Sequence, residues 1–407
     1  MRILITTLGS PSHGRAQLPL ARALAAAGHE VVAATTPPVA PVFERDDVRV
    51  VSCIDDVLPG YHVMARLREI SEDPALDDEQ RQTGLMNAMS ESMTGAMAEE
   101  LLGALLPLAR DFRPDVVLRD GMDMGSVLIG ELLGVPQLPT PSGSSNSFDP
   151  ATLLPGLNTL REARGLPVRE DPLSIIPYGR IDYVPQDYSF ARHLPHSWAY
   201  RQTVDVDRGH VLPEWIADLP TDRPLVFAAT GTALPLLHEK LGTGAGTDAV
   251  RALGMPDPAE TLRSIIAAVS RLEECTVIVA TMGIPADTGG LPPHVHTAER
   301  LPQPLLLESV DLFLTHGGFN SIRESLRTAT PMAVLPQFGD QHPNAVRVEE
   351  LGIGRRVTDT GPDGIAAVCR EVLADPGIGA RARRARLAML ALPDIESAVA
   401  DLEKLAG

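Results

Sequence analysis

Aromatic side chains are scarce, at 4 % of the 407 residues, so Ala, Leu and Val must fill most of the interior. No stretch approaches the ~18 consecutive apolar residues that a membrane-spanning helix needs, and none is expected. The opening Met1-Arg2-Ile3-Leu4-Ile5 runs straight into a strand-like pattern, without the apolar stretch and small-residue cleavage site of a signal peptide, which predicts a cytoplasmic protein. Cysteine is nearly absent. Cys53, Cys275 and Cys369 are far apart and fit no metal spacing, so each reads as a small buried residue in a reducing compartment. Positive charge is in deficit, with 35 Lys and Arg against 53 Asp and Glu and a formal charge of −18. That balance argues against nucleic acid as a partner, but backbone N–H groups can still hold a small diphosphate locally. There are no short repeats or low-complexity tracts. The Gly-rich stretch Gly242 to Gly246 is followed by no Gly-Lys-Ser/Thr and so is not a P-loop; it reads as a mobile loop.

What is present is a globular composition, with 44 % hydrophobic and 22 % charged residues, in a chain long enough for two domains of ~100–200 residues each. Two stretches begin as strand, glycine-containing loop, helix and strand. One runs from Arg2 to Ala34, with a helix near Gln17 to Ala27 and Gly28 at its end. The other runs from Arg223 to Ala280, with Thr230-Gly231-Thr232 after its first strand and a helix from Ala259 to Leu272. Each implies a right-handed parallel crossover. Between them lie a buried strand at Pro114 to Leu118, a helix from Gly125 to Leu133, and a loop rich in Pro, Ser, Gly and Asn from Pro139 to Pro150. The predicted architecture is α/β: two Rossmann-like, doubly wound parallel-sheet domains facing a cleft. They occupy residues 1–205 and 223–380, with a polar linker at 206–222 and a C-terminal helical segment at 381–407 that could pack on either domain, including back on the first. Ligands of such sheets bind beyond the carboxyl ends of the strands.

The richest segment begins at Asp311-Leu-Phe-Leu-Thr-His316-Gly317-Gly318-Phe319-Asn320-Ser321. An apolar strand enters His-Gly-Gly, and a helix starts near Asn320. Glycines permit close backbone approach, and a helix N-terminus suits a diphosphate. The alternative is a tight turn with Asn320 or Ser321 as N-cap. Glu324, one turn on, can accept from ribose hydroxyls. Asp340 and Gln341, in Pro336-Gln-Phe-Gly-Asp340-Gln341-His-Pro-Asn344, carry the groups needed to read vicinal hydroxyls. Arg300-Leu301-Pro302-Gln303 can wall a base.

From Arg300 to Gln341 the chain resembles the donor signature of family 1 glycosyltransferases with the GT-B fold: His-x-Gly-x-Asn-Ser-x-x-Glu, then Thr330-Pro331-Met332, then Asp-Gln-x-x-Asn. Asn158, Arg161, Gly165, Leu166 and Pro167 resemble an actinobacterial pattern within it, of the macrolide and natural-product type. The resemblance implies that His316, Gly318, Asn320 and Ser321 hold the diphosphate and Glu324 the ribose. Asp340 with Gln341 would hold the sugar, and Thr232, Arg300, Leu301 and Gln303 would border the donor. Arg300 stands where plant members have a base-stacking Trp, which leaves UDP against TDP open. The nucleotide sugar is a co-substrate, and no cofactor is implied. Nor is a metal: Asp205-Val206-Asp207, which looks like a metal motif, reads as a surface turn.

An inverting displacement at the anomeric carbon needs a base. His13, in Ser10-Pro-Ser-His13-Gly14 after the first strand, matches the family's histidine, and Asp120, ending another strand, matches its aspartate partner. A solvated loop histidine is the alternative for His13. Asp123 competes with Asp120, and either could N-cap the helix near Gly125. Met86, Met89, Met93 and Met97 form one helical stripe with Met64 upstream. The stripe reads as core packing or as the adaptable lining of a hydrophobic acceptor site, which would also include Ser142 of the Pro139 to Pro150 loop. The expected activity is metal-independent, inverting hexosyl transfer to a hydroxyl of a hydrophobic, polyketide- or macrolide-like acceptor. A sugar-nucleotide epimerase or hydrolase on the same scaffold, and a non-catalytic donor-binding auxiliary protein, are the alternatives. An oligomer is compatible with all three.

Overall fold

The computed structural model describes residues 1–56, 61–141, 146–194, 197–201, 209–236, 255–285 and 289–407. Ser142, Asp205 to Asp207 and Gly242 to Gly246 lie outside the described residues. The chain divides into two units, residues 1–203 with 392–407, and residues 204–391.

The first unit is built on β1 (Arg2–Thr7), α1 (Pro11–Ala26), β2 (Glu30–Thr35), β3 (Arg49–Ser52), α2 (Met64–Glu72), α3 (Asp78–Thr94), α4 (Ala96–Phe112), β4 (Val116–Arg119), α5 (Gly125–Leu133), β5 (Gln137–Pro139) and α6 (Pro150–Glu162). Its sheet is parallel in the order β3-β2-β1-β4-β5, with Ile3 opposite both Val31 and Val116. The strands read as unbroken apolar runs because helices cover both faces, and β1 is buried from Ile3 to Thr7. A small parallel pair, β6 (Arg180–Asp182) and β7 (Ser197–Ala199), stands apart from this sheet. Helix α1 starts at Pro11, where a proline's fixed φ and missing N–H cost nothing, so it begins well before Gln17. His13 is therefore on the first helical turn and not in a loop. Gly28, at φ +84, turns the chain out of the helix.

The methionine stripe is not one helix. Gly95, at φ −112 and ψ −115, separates α3 from α4. Met93 is fully buried in the core of the first unit, which removes it from the acceptor candidates. Met86 and Met89 are half-buried against the same core, and Met64 is half-buried at the start of α2. The actinobacterial pattern is a clamp: fully buried Arg161 makes a two-pronged ion pair with Glu131 (3.0 and 2.9 Å) and donates to Asn158 (2.8 Å), tying α6 to α5.

The second unit contains β8 (Leu225–Ala229), α7 (Pro258–Val269), β9 (Thr276–Ala280), β10 (Val295–Ala298), α8 (Gln303–Leu306), β11 (Leu312–Thr315), α9 (Phe319–Thr328), β12 (Met332–Val334), α10 (Gln341–Glu350), β13 (Gly354–Arg356), α11 (Pro362–Ala374) and α12 (Pro376–Leu390). Its parallel sheet has the order β10-β9-β8-β11-β12-β13, so the winding reverses between β8 and β11 as it does between β1 and β4 in the first sheet. Residues 381–391 stay with this unit; the last helix, Ser397–Ala406, belongs to the first.

Candidate functional site

In each sheet the two strands at the reversal splay their following loops apart, which is where ligands of doubly wound sheets bind. In the first unit these loops follow β1 and β4. The His13 Nδ1 lies 2.8 Å from Asp120 Oδ2, with the aspartate side chain 1 % exposed and the imidazole 18 %. Two features make the pairing possible. Gly9 has φ +80, and a Cβ there would sit 3.3 Å from the His13 ring, so a side chain at this turn would crowd it. Asp120 is pinned by its N–H to the Thr6 carbonyl (2.9 Å) and accepts from the Met122 N–H through Oδ1 (3.0 Å). Asp123 is occupied elsewhere: it accepts from Thr6 Oγ1 (2.6 Å) and from the N–H (2.9 Å) and hydroxyl (2.5 Å) of Ser126, at the start of α5. Burial pushes its carboxyl above the usual range.

Two supporting residues escaped the sequence reading. Buried Arg119 donates through Nε to Gln137 Oε1 (2.7 Å), and its other nitrogens face the Asp120, Gly121 and Asp123 carbonyls (3.4 Å each) and that of Ile175 (3.2 Å). Desolvation lowers this guanidinium to about 10, and it remains charged at neutral pH. Gln17 joins the ends of two strands, donating to the Thr6 carbonyl (3.0 Å) and to Thr140 Oγ1 (2.6 Å). Nearby, Leu8, Ile54, Met97 and Leu101 line a cavity of about 50 Å³ with Asp55 and Glu100. Met97 is the member of the stripe that reaches it.

In the second unit the reversal brings Thr230-Gly231-Thr232, after β8, against His316-Gly317-Gly318, after β11. A Cβ on Gly231 or on Gly318 would lie 2.4 Å from the His316 ring, so glycines bracket the imidazole. Gly231 and Gly317 also have φ of +78 and +84, the left-handed region that favours glycine. Burial lowers His316 to about 4, so its ring is neutral at pH 7. Its Nδ1 and the hydroxyl of Thr230 are buried without a hydrogen-bond partner. Helix α9 begins at Phe319 with Gly318 as N-cap, and neither Asn320 nor Ser321 caps it. No side chain caps this N-terminus, whose first N–H groups lack intrahelical acceptors and carry partial positive charge.

Gln303, at the start of α8, donates to Ser321 Oγ (3.1 Å) and Glu324 Oε2 (2.6 Å), joining three of the predicted donor residues. Leu301 packs beside them on the Phe227–Phe313 core, whereas Arg300 is largely exposed, 3.8 Å from Glu299. Thr232 is half-buried in its loop. Asp340 and Gln341 have different surroundings. Asp340 Oδ2 accepts from Asn344 Nδ2 (3.1 Å), which also donates to the Gly317 carbonyl (3.0 Å). Gln341 Oε1 accepts from the N–H groups of Gln337 (2.9 Å) and Phe338 (3.3 Å). Asn344 is a further residue the reading assigned no role. Its signal is the last position of Asp-Gln-x-x-Asn, but its target is a backbone carbonyl far away in sequence.

The chain matches the two models of one family: erythromycin biosynthesis protein CIII-like, N-terminal domain, over residues 22–231, and the C-terminal domain over residues 263–405. The aclacinomycin-T 2-deoxy-L-fucose transferase of Streptomyces galilaeus is 24 % identical over 460 residues, covering 100 % of this chain and 96 % of its own. The 3-alpha-mycarosylerythronolide B desosaminyl transferase of Saccharopolyspora erythraea is 24 % identical over 450 residues, covering 100 % and 98 %. Among solved structures, that of the glycosyltransferase VinC in complex with dTDP superposes with a TM-score of 0.71 at 21 % identity, covering 100 % of this chain and 99 % of its own.

Proposed function

The chain belongs to the erythromycin biosynthesis protein CIII-like family of GT-B natural-product glycosyltransferases, and on that premise we propose that it transfers a hexose from UDP or TDP, with inversion, to a hydroxyl of a hydrophobic polyketide- or macrolide-like acceptor. The 2.8 Å pairing of His13 with a buried Asp120 at the reversal of the first sheet carries this reading. With Nδ1 held by the carboxylate, Nε2 is the ring nitrogen that takes the acceptor's proton, and Asp120 steadies the imidazolium that forms. In the second unit, the N-terminus of α9 and the neutral His316 hold the diphosphate and stabilise its departure as charge builds on it. Glu324, steadied by Gln303, binds the ribose; Asp340 and Gln341 face the sugar, and Leu301 with Thr232 borders the donor. A natural-product acceptor is supported by the similarity to the aclacinomycin-T and 3-alpha-mycarosylerythronolide B sugar transferases, and TDP by the VinC complex with dTDP.

The His13→Ala variant, assayed for acceptor-dependent release of nucleoside diphosphate, is expected to lose ~10²–10⁴-fold in kcat. Calorimetry should show unchanged binding of the nucleoside diphosphate. Retained turnover, or loss of nucleotide binding, refutes the assignment. Epimer formation from the donor without an acceptor would favour the epimerase reading instead.

A further inference from the structure

The turn between β12 and α10 contains a buried amide with nothing to do. Gln337 is 5 % exposed, and neither Nε2 nor Oε1 has a hydrogen-bond partner. A buried polar group left this way costs about 1–3 kcal/mol, and native proteins leave few of them. The backbone around it is well anchored. Its own N–H goes to Gln341 Oε1, and the Gln341 carbonyl lies 3.4 Å from where a Cβ on Gly317 would be. Asn344 latches the Gly317 carbonyl from the other side. The turn is thus fixed against the His-Gly-Gly turn, at the carboxyl end of the strand next to β11, where His316 Nδ1 and Thr230 Oγ1 are likewise unpartnered.

Gln341 has spent its acceptor oxygen on the backbone of residues 337 and 338, and Asp340 has given one oxygen to Asn344. Gln337 keeps both a donor and an acceptor, the pair that a hydroxyl both accepts from and donates to. We propose that Gln337 is a specificity-determining residue that hydrogen-bonds a hydroxyl of the donor's hexose, with Gln341 positioning the turn that presents it. This rests on the donor-binding reading of the second unit.

The test is calorimetric titration of wild type, Gln337→Leu and Gln337→Met with UDP, TDP, UDP-glucose and TDP-glucose, together with melting temperatures. The wild type should bind the nucleotide sugar more tightly than the bare nucleotide. Both variants should bind the bare nucleotide as wild type does, lose ten-fold or more in affinity for the nucleotide sugar, and melt no lower, because an unpaired amide has been removed. Unchanged affinity for the nucleotide sugar in a folded variant overturns the proposal. So does an equal loss for both ligands, a lowered melting temperature in both variants, or no gain from the hexose in the wild type. Failure of the wild type to bind any nucleotide overturns the donor reading itself.

Discussion

His316 is the residue whose chemistry depends most on its neighbours. Its position before Gly-Gly marks it in the sequence as a candidate phosphate contact, but its charge state is not legible there. That state follows from burial of the ring, in a turn where Gly231 arrives from another strand, a neighbour invisible in the local pattern. A neutral imidazole offers a single N–H donor and no fixed charge, so donor affinity should owe nothing to a His316 cation. The same shift makes a stability prediction. Above 6.5 the ring is neutral folded or unfolded and contributes nothing. As pH falls below 6.5 the unfolded ring takes up a proton that the folded ring refuses until about 4, so stability is lost through that window. The loss is at most about 3 kcal/mol, since each unit is worth ~1.4 kcal/mol and the ring is half-buried. Urea unfolding of wild type and His316→Gln at pH 7 and pH 4.5 checks this: the wild type should lose more stability than the variant. Parallel losses would mean that the folded ring titrates normally.

Elements long enough to show a period were readable, and short ones were not. Strands β1, β4, β8 and β9 are continuous apolar runs, and their parallel pairing follows from the helices between them. Strands β12 and β13 have three residues each, and the β6–β7 pair likewise, too few for any pattern to emerge. The break at Gly95 was hidden because the methionine spacing stays helical across it. Within the candidate site, the His-Gly-Gly turn was legible from its glycines, but the element that holds it was not: α10 reaches back through Asn344 to the Gly317 carbonyl and to Asp340. That bond should set the turn's geometry without touching ligand. Asn344→Ala removes it and strands a buried carbonyl, a cost of about 1–3 kcal/mol. Nucleotide affinity should fall roughly five- to hundred-fold by calorimetry, while the His13–Asp120 unit keeps its amide-exchange protection. Wild-type affinity would show that the turn holds its shape unaided.

At the scale of the molecule, the chain leaves its first unit, builds the second, and returns to finish the first. The sequence left the last helix free to pack on either domain because its alternation of Ala, Leu and charge names no partner. The structure gives it one. Ile395, Ala398 and Leu402 are buried, the Arg201 N–H donates to the Pro393 carbonyl (2.6 Å), the Tyr200 hydroxyl donates to Asp401 Oδ2 (3.0 Å), and His29 lies 3.2 Å from Glu403. Burying an Ile or Leu side chain contributes about 1.5–3 kcal/mol, so this segment supplies several of the ~5–15 kcal/mol that a domain has in hand. Truncation after Ala391 should therefore destabilise the first unit alone. Hydrogen exchange should accelerate across residues 1–201 and stay unchanged across 209–391, with nucleotide affinity retained and transfer lost. Equal acceleration in both units would mean that they unfold as one body and that the C-terminal helix stabilises the whole chain.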